Sequence, residues 1–145
     1  PDGTKVGIWT VWRKNGQKIS EGKYSKAGQK EGAWIVWRQD GTKMVETEYK
    51  NGKADGMQNT WHASGKKTEE RHYKRGKLDG EMTKWDVYGN IFKKCYYKNG
   101  KLDGAMSEWH SNGKLRHVDL AAARSAHDMA LVALRGYRAI PATRA

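Results

Sequence analysis

Proline is absent between residues 2 and 140, cysteine occurs once, and phenylalanine occurs once. Without internal proline, every residue of that span keeps the backbone N–H that a sheet ladder uses. The single cysteine, Cys95, excludes an internal disulfide and any metal site built from several thiolates. No stretch approaches the run of about 18 apolar residues that marks a membrane-spanning helix. Apolar residues make up 37% of the 145-residue chain, with too little Leu, Ile and Val for a two-layer globule of one domain. Acidic groups are scarce too: 16 Asp and Glu against 28 Lys and Arg leave a net charge of +12. Residues 117–145 hold four Arg and two Asp, so most of that excess lies before them. The surplus favours an acidic partner, whether protein, nucleic acid or anionic lipid, without choosing among them. No signal peptide precedes the first residues, so the cytoplasm is the expected location. The chain opens Pro1-Asp2 without Met, which leaves export open if a leader has been removed.

What the chain does have is glycine in register. Gly7, Gly32, Gly56, Gly80 and Gly104 form one column, and Gly16, Gly41, Gly65, Gly89 and Gly113 a second. Gly28, Gly52, Gly76 and Gly100 form a third. Trp12, Trp37, Trp61, Trp85 and Trp109 keep the same beat, as do Tyr24, Tyr49, Tyr73 and Tyr97. The period is 24 residues, except that Tyr24–Gly28 carries one residue more than Tyr49–Gly52. Self-similarity at a fixed period signals a repeat array. The second glycine column follows Asn15, Asp40, Ser64, Tyr88 and Asn112, and Asn-Gly or Asp-Gly between alternating runs predicts a hairpin whose two central residues take positive φ. The expected fold is all-β: a single-layer antiparallel meander of five hairpin repeats over residues 1–116, in nine or ten strands. Units begin near Gly7, Gly32, Gly56, Gly80 and Gly104. Residues 117–145 form a separate C-terminal unit, with Asp119 capping a short helix over 120–134, Gly136 ending it, and a frayed end beyond.

Strand alternation sorts the side chains into two faces. Ile8, Thr10 and Trp12 share one with Ala33, Ile35, Trp37 and Met57, Asn59, Trp61. The Trp column marks the face expected to be buried. The opposite face carries Trp9, Val11 and Arg13, then Trp34, Val36 and Arg38, and then turns polar at Gln58, Thr60 and His62. Stability alone does not call for that change. Two Trp and two Val rimmed by Arg are the residue types of a binding hot spot, so Trp9, Val11, Arg13, Trp34, Val36, Arg38 and His62 are the candidate partner-binding residues. The alternative is that another part of the chain, or a second copy, covers them.

Tyr49-Lys-Asn-Gly-Lys-Ala-Asp-Gly56, Tyr73-Lys-Arg-Gly-Lys-Leu-Asp-Gly80 and Tyr97-Lys-Asn-Gly-Lys-Leu-Asp-Gly104, each followed by Trp and Gly, resemble the MORN repeat in the variant form of many bacterial proteins. The likeness spans residues 3–116, with Gly7 to Gly28 the most divergent unit. Proteins of this variant kind include YwqK-type antitoxins, which neutralise polymorphic toxins. The resemblance therefore implies an antitoxin or immunity protein whose partner is a cognate toxin. Other MORN proteins are scaffolds, dimerisation modules or membrane-lipid binders, so a homo-oligomer or an anionic surface is the alternative. No catalytic residue carries over from the repeat.

No constellation supports catalysis, a metal or a cofactor. His62 and His110 share a repeat position but lie two units apart, about 19 Å across the strands, too far for one metal ion. Asp55, Asp79 and Asp103 are placed like the acids of calcium-binding rolls, but each turn offers one carboxylate, and a turn-forming role fits better. Ser111 beside His110 lacks an acid and an oxyanion-hole motif. Cys95 alternates with Tyr97 and is a small packing residue. Lys50, Lys53, Lys74, Lys77, Lys98 and Lys101 line one edge, each turn pairing them with an acid. They are expected to be solvated, and to discourage edge-to-edge aggregation. The expected function is protein binding without catalysis.

Overall fold

The computed structural model describes residues 3–119. They form one open antiparallel sheet of β1 (Gly7–Trp12), β2 (Lys18–Tyr24), β3 (Lys30–Trp37), β4 (Lys43–Lys50), β5 (Lys53–Trp61), β6 (Lys67–Lys74), β7 (Lys77–Trp85), β8 (Ile91–Lys98), β9 (Lys101–Leu102), β10 (Met106–Trp109) and β11 (Leu115–Asp119). The strands follow one another in space as in sequence, and β9, off the main path, pairs β8. β9 and β10 together take the place of β7 in its repeat. At about 4.8 Å per strand the sheet extends roughly 45 Å. The meander is therefore as expected. Asp119, expected to cap a helix, closes β11; the helix over 120–134 and the end beyond lie outside the described residues.

The turns correct the hairpin reading. Asn15, Asp40, Ser64, Tyr88 and Asn112 do not take positive φ. Each of these turns closes with the glycine N–H on the carbonyl three residues back, as Gly16 on Arg13 at 3.0 Å, and only the glycine is left-handed. This is a type I turn followed by a glycine bulge, which accepts Ser64 or Tyr88 before the glycine. The tight two-residue turns are instead Asn51-Gly52, Arg75-Gly76 and Asn99-Gly100, where both residues have positive φ. In the first repeat the extra residue of Tyr24–Gly28 converts this turn to the longer kind, with Gly28 N–H on the Ser25 carbonyl at 3.0 Å.

The tight turns also tie repeats together. Gly52, Gly76 and Gly100 donate N–H bonds to the carbonyls of Lys30, Ala54 and Leu78, one repeat earlier. The carboxylates of Glu31, Asp55 and Asp79 accept the N–H of Asn51, Arg75 and Asn99 at 3.1, 3.2 and 3.3 Å. The acids before Gly32, Gly56 and Gly80 thus cap the next repeat's turn, each satisfying a backbone amide there. The Asn99 amide, with Lys98 beside it, holds the Asp79 carboxyl below its ordinary range.

A bulge recurs in the second strand of every hairpin. Ile19, Met44, Thr68, Phe92 and Arg116 are skipped in the pairing, so residues three apart come to one face. Lys18, Lys43 and Lys67 therefore sit beside Trp12, Trp37 and Trp61 in pairing and reach Glu21, Glu46 and Glu70 at 2.6, 2.9 and 2.7 Å. The Lys18 ammonium lies 5.5 Å from the Trp12 and Trp37 rings alike; Lys43 lies over Trp61 and Lys67 over Trp85. The Trp column is an interleaved Trp–Lys ladder whose members are half-buried, and Trp12 is 55% exposed. It is not a buried face. A single layer leaves both faces partly open, and its most buried apolar side chains, Cys95 and Met82, lie on the opposite face.

Candidate protein-binding surface

The face opposite the Trp ladder is built from two rows that cross the strands. Cross-strand pairing sets Val11, Ser20, Val36, Val45 and Thr60 in one row and Trp9, Gly22, Trp34, Thr47 and Gln58 in the other. Beyond β5 the first row becomes Glu69, Lys84, Lys93 and Glu108. These close on one another, with Lys84 to Glu69 at 3.3 Å, Lys93 to Glu108 at 3.1 Å and Arg71 to Glu69 at 2.8 Å. The second row becomes Arg71, Met82 and Cys95, and burial raises the Cys95 thiol above its ordinary pKa. The later repeats have thus filled this face with their own side chains, whereas Trp9 is 40% and Val11 49% exposed in the first.

The rings of the first two repeats are held by one another. Trp9, Tyr24, Trp34 and Tyr49 form an edge-to-face series with centroid separations of 6.2, 4.9 and 6.3 Å. Such contacts add about 0.5–1.5 kcal/mol each beyond area burial. The indole N–H groups of Trp9 and Trp34 donate to the Val6 and Lys23 carbonyls, both at 3.2 Å. Their polar atoms are satisfied, and the rings stand at fixed angles. Lys5 lies 4.8 Å from the Trp9 ring, and Lys30 lies 4.4 Å from Trp34 and 4.8 Å from Tyr49. Gly22 makes room for Trp34: a Cβ there would fall 2.1 Å from the ring.

Of the predicted residues, Trp9, Val11, Trp34 and Val36 share this surface. Arg13 and Arg38 do not form a free charged rim. The Arg13 guanidinium donates to the Trp37 carbonyl at 3.3 Å, and Arg38 donates to the Lys43 carbonyl at 2.9 Å and to the Trp61 carbonyl. Both fasten one repeat to the next, because their length reaches the neighbouring hairpin. His62 is exposed at the β5–β6 turn, where its Nδ1 accepts the Ser64 N–H at 3.2 Å. Tyr24, Tyr49, Lys5, Lys30 and Gly22 went unpredicted. Two signals were available: the tyrosine column, and Gly22, which stands outside the glycine columns.

Exposed large apolar side chains concentrate at this end: Val6, Ile8, Trp9, Val11 and Trp12 all lie on or just before β1. A second group, Val87, Tyr88, Phe92 and Tyr96, lies in the β7–β8 hairpin. Among the described residues no group of three His, Cys, Asp or Glu is placed to hold a metal ion, and no helix is long and apolar enough to cross a membrane. No family model matches the chain, and no curated protein matches it. The fold and the surface define an open meander of hairpin repeats with an aromatic face at one end.

Proposed function

We propose that the array is a non-enzymatic binding module whose ligand is another protein, seated on the aromatic face of the first two repeats. The observation that carries this reading is the change of character along one face. Repeats three to five cover it with their own ion pairs and thioether, while repeats one and two place two Trp and two Val there, Trp9 and Val11 exposed and Trp34 and Val36 half-buried. Rigid aromatic anchors with satisfied polar atoms lose little freedom on binding and dominate interface energies. The resemblance to variant MORN repeats supports, as the biological role within this proposal, an antitoxin that neutralises a cognate toxin in the cytoplasm.

A second reading is favoured by one observation. Lys50 pairs with Lys53, Lys74 with Lys77 and Lys98 with Lys101 across the tight turns. Like charges set opposite each other cost stability, so a ridge of such pairs suits an anionic lipid headgroup or nucleic acid. One experiment separates the two. The partner is captured with the intact chain, and binding is compared for Trp9→Ala with Trp34→Ala and for Lys50, Lys53, Lys74 and Lys77 exchanged for Gln. The protein-binding reading expects the Trp pair to lower affinity at least about 100-fold and the Gln set to alter mainly salt dependence. It also expects the captured protein to arrest growth when expressed alone and this chain to restore it. Loss of binding in the Gln set with a neutral Trp pair would transfer the function to the basic ridge.

A further inference from the structure

β1 is an edge strand: it pairs with β2 and, among the described residues, with no other strand. Its sequence, Gly-Ile-Trp-Thr-Val-Trp, contains no Lys, Arg, Asp or Glu, whereas each of the other ten described strands contains at least one. Natural sheets protect their edges with charge, because an unpaired row of N–H and C=O groups is a template for another strand. The far edge among the described residues, β11, follows that rule with Arg116 and Asp119. β1 departs from it on both sides. Ile8 is 76% and Trp12 55% exposed on the Trp-ladder face, and Trp9 and Val11 are 40% and 49% exposed on the other. A strand laid along β1 would find apolar side chains above and below it.

The charges around β1 say what that strand carries. Lys5 precedes it and Lys14 follows it, beside an Arg13 turned to the Trp37 carbonyl, and residues 3–38 hold eight Lys and Arg against two Glu. A second copy fits poorly. Antiparallel self-pairing centred between Trp9 and Thr10 would set Lys5 of each copy against Lys14 of the other and Val6 against Arg13, placing cations together at both ends. We propose that β1 is a docking edge for an extended segment of the partner protein, uncharged and apolar over the length of β1 and bearing carboxylates at both ends. Main-chain bonds would supply affinity and the end charges specificity, as in strand addition generally. This rests on the protein-binding reading and adds to it the mode of recognition.

The test uses the intact chain and two capped peptides, DEVTVTVED and its lysine-ended counterpart KKVTVTVKK. Amide exchange of residues 7–12 is followed with each peptide, and sedimentation is measured without either. The expected result is a monomer whose β1 amides are protected by the acidic peptide about tenfold more tightly than by the basic one at low salt, the gap closing in high salt. Ile8→Asp should remove that protection and keep the fold, because its carboxylate would face Lys23 across the β1–β2 pair. Absence of protection, equal protection by both peptides, or a chain already self-associated through β1 would each overturn the proposal. Ile8 lies on the face away from Trp9 and Trp34. A partner that needs the Trp pair but ignores Ile8→Asp would therefore remove strand pairing and leave the protein-binding reading standing.

Discussion

Gly22→Ala separates two physical effects of opposite sign. Gly22 has no positive φ, so alanine meets no backbone strain there, and in a strand it is ordinarily favoured over glycine by about 0.5–1 kcal/mol. Against this, the new methyl would lie 2.1, 2.3 and 2.6 Å from three atoms of the Trp34 ring, far inside the roughly 3.5–4.0 Å of carbon contact. The ring cannot yield cheaply. It stands between Tyr24 at 4.9 Å and Tyr49 at 6.3 Å, and its N–H is bonded to the Lys23 carbonyl. Overpacking of this kind costs about 1–3 kcal/mol, and displacing the ring forfeits its edge-to-face contacts as well. The net expectation is a loss of about 1–3 kcal/mol, measured as the urea midpoint by far-ultraviolet circular dichroism. Trp34→Met supplies the control, because Met82 holds the equivalent place in the fourth repeat, where Arg71, a residue with a Cβ, stands in the position of Gly22. In that background Gly22→Ala should be neutral or stabilising, giving a coupling of at least about 1 kcal/mol. A stabilising Gly22→Ala in the native background would refute the packing account of Trp34.

Asp55→Ala leaves the Arg75 N–H without its cap and should cost about 0.5–1.5 kcal/mol, with faster amide exchange confined to the β6–β7 turn; unchanged exchange there would deny the capping role. Burial raises the Glu81 pKa, but hydrogen bonds from Lys94, Thr83 and Tyr96 outweigh it and bring the value from 4.5 to about 2. A depressed carboxyl stabilises the fold above its unfolded pKa and loses that contribution as pH falls through the folded value. Glu81→Gln should therefore be less stable than the native chain at pH 7, with the difference fading from about pH 4.5 downward. A constant difference down to pH 2 would contradict the network. Cys95 is fully buried, so a thiol reagent should label it only through opening of the sheet, and urea below the midpoint should speed the reaction; labelling at the rate of a free thiol would place Cys95 at the surface.

The meander was legible because three glycine columns and two aromatic columns repeat at one spacing, and an array has few other ways to pair its strands. The turn classes were not. Asn-Gly serves both kinds of turn, and one residue of loop length decides between them, as Tyr24–Gly28 and Tyr49–Gly52 show. The bulges at Ile19, Met44, Thr68, Phe92 and Arg116 carry no common residue type, so the Lys–Glu spacing of three had no visible meaning until the pairing was known. Trp9, Val11, Trp34 and Val36 followed from simple alternation. Tyr24, Tyr49 and Lys30 depend on cross-strand register, and the anchoring of Arg13 and Arg38 on the reach of long side chains to the next repeat. The Trp column misled because size suggests burial, whereas in a single layer a large ring is covered by its ladder neighbours and little else.

The most direct test of the working surface is a hydroxyl-radical footprint of the chain bound to its captured partner. Oxidation of Trp9 and Trp34, and of Val11 and Val36 between them, should fall on binding, while Trp109 at the other end and the side chains around the Lys50–Lys53 and Lys74–Lys77 turns should react as in the free chain. Protection confined to those lysine turns, with Trp9 and Trp34 unchanged, would contradict the account and place recognition on the basic ridge.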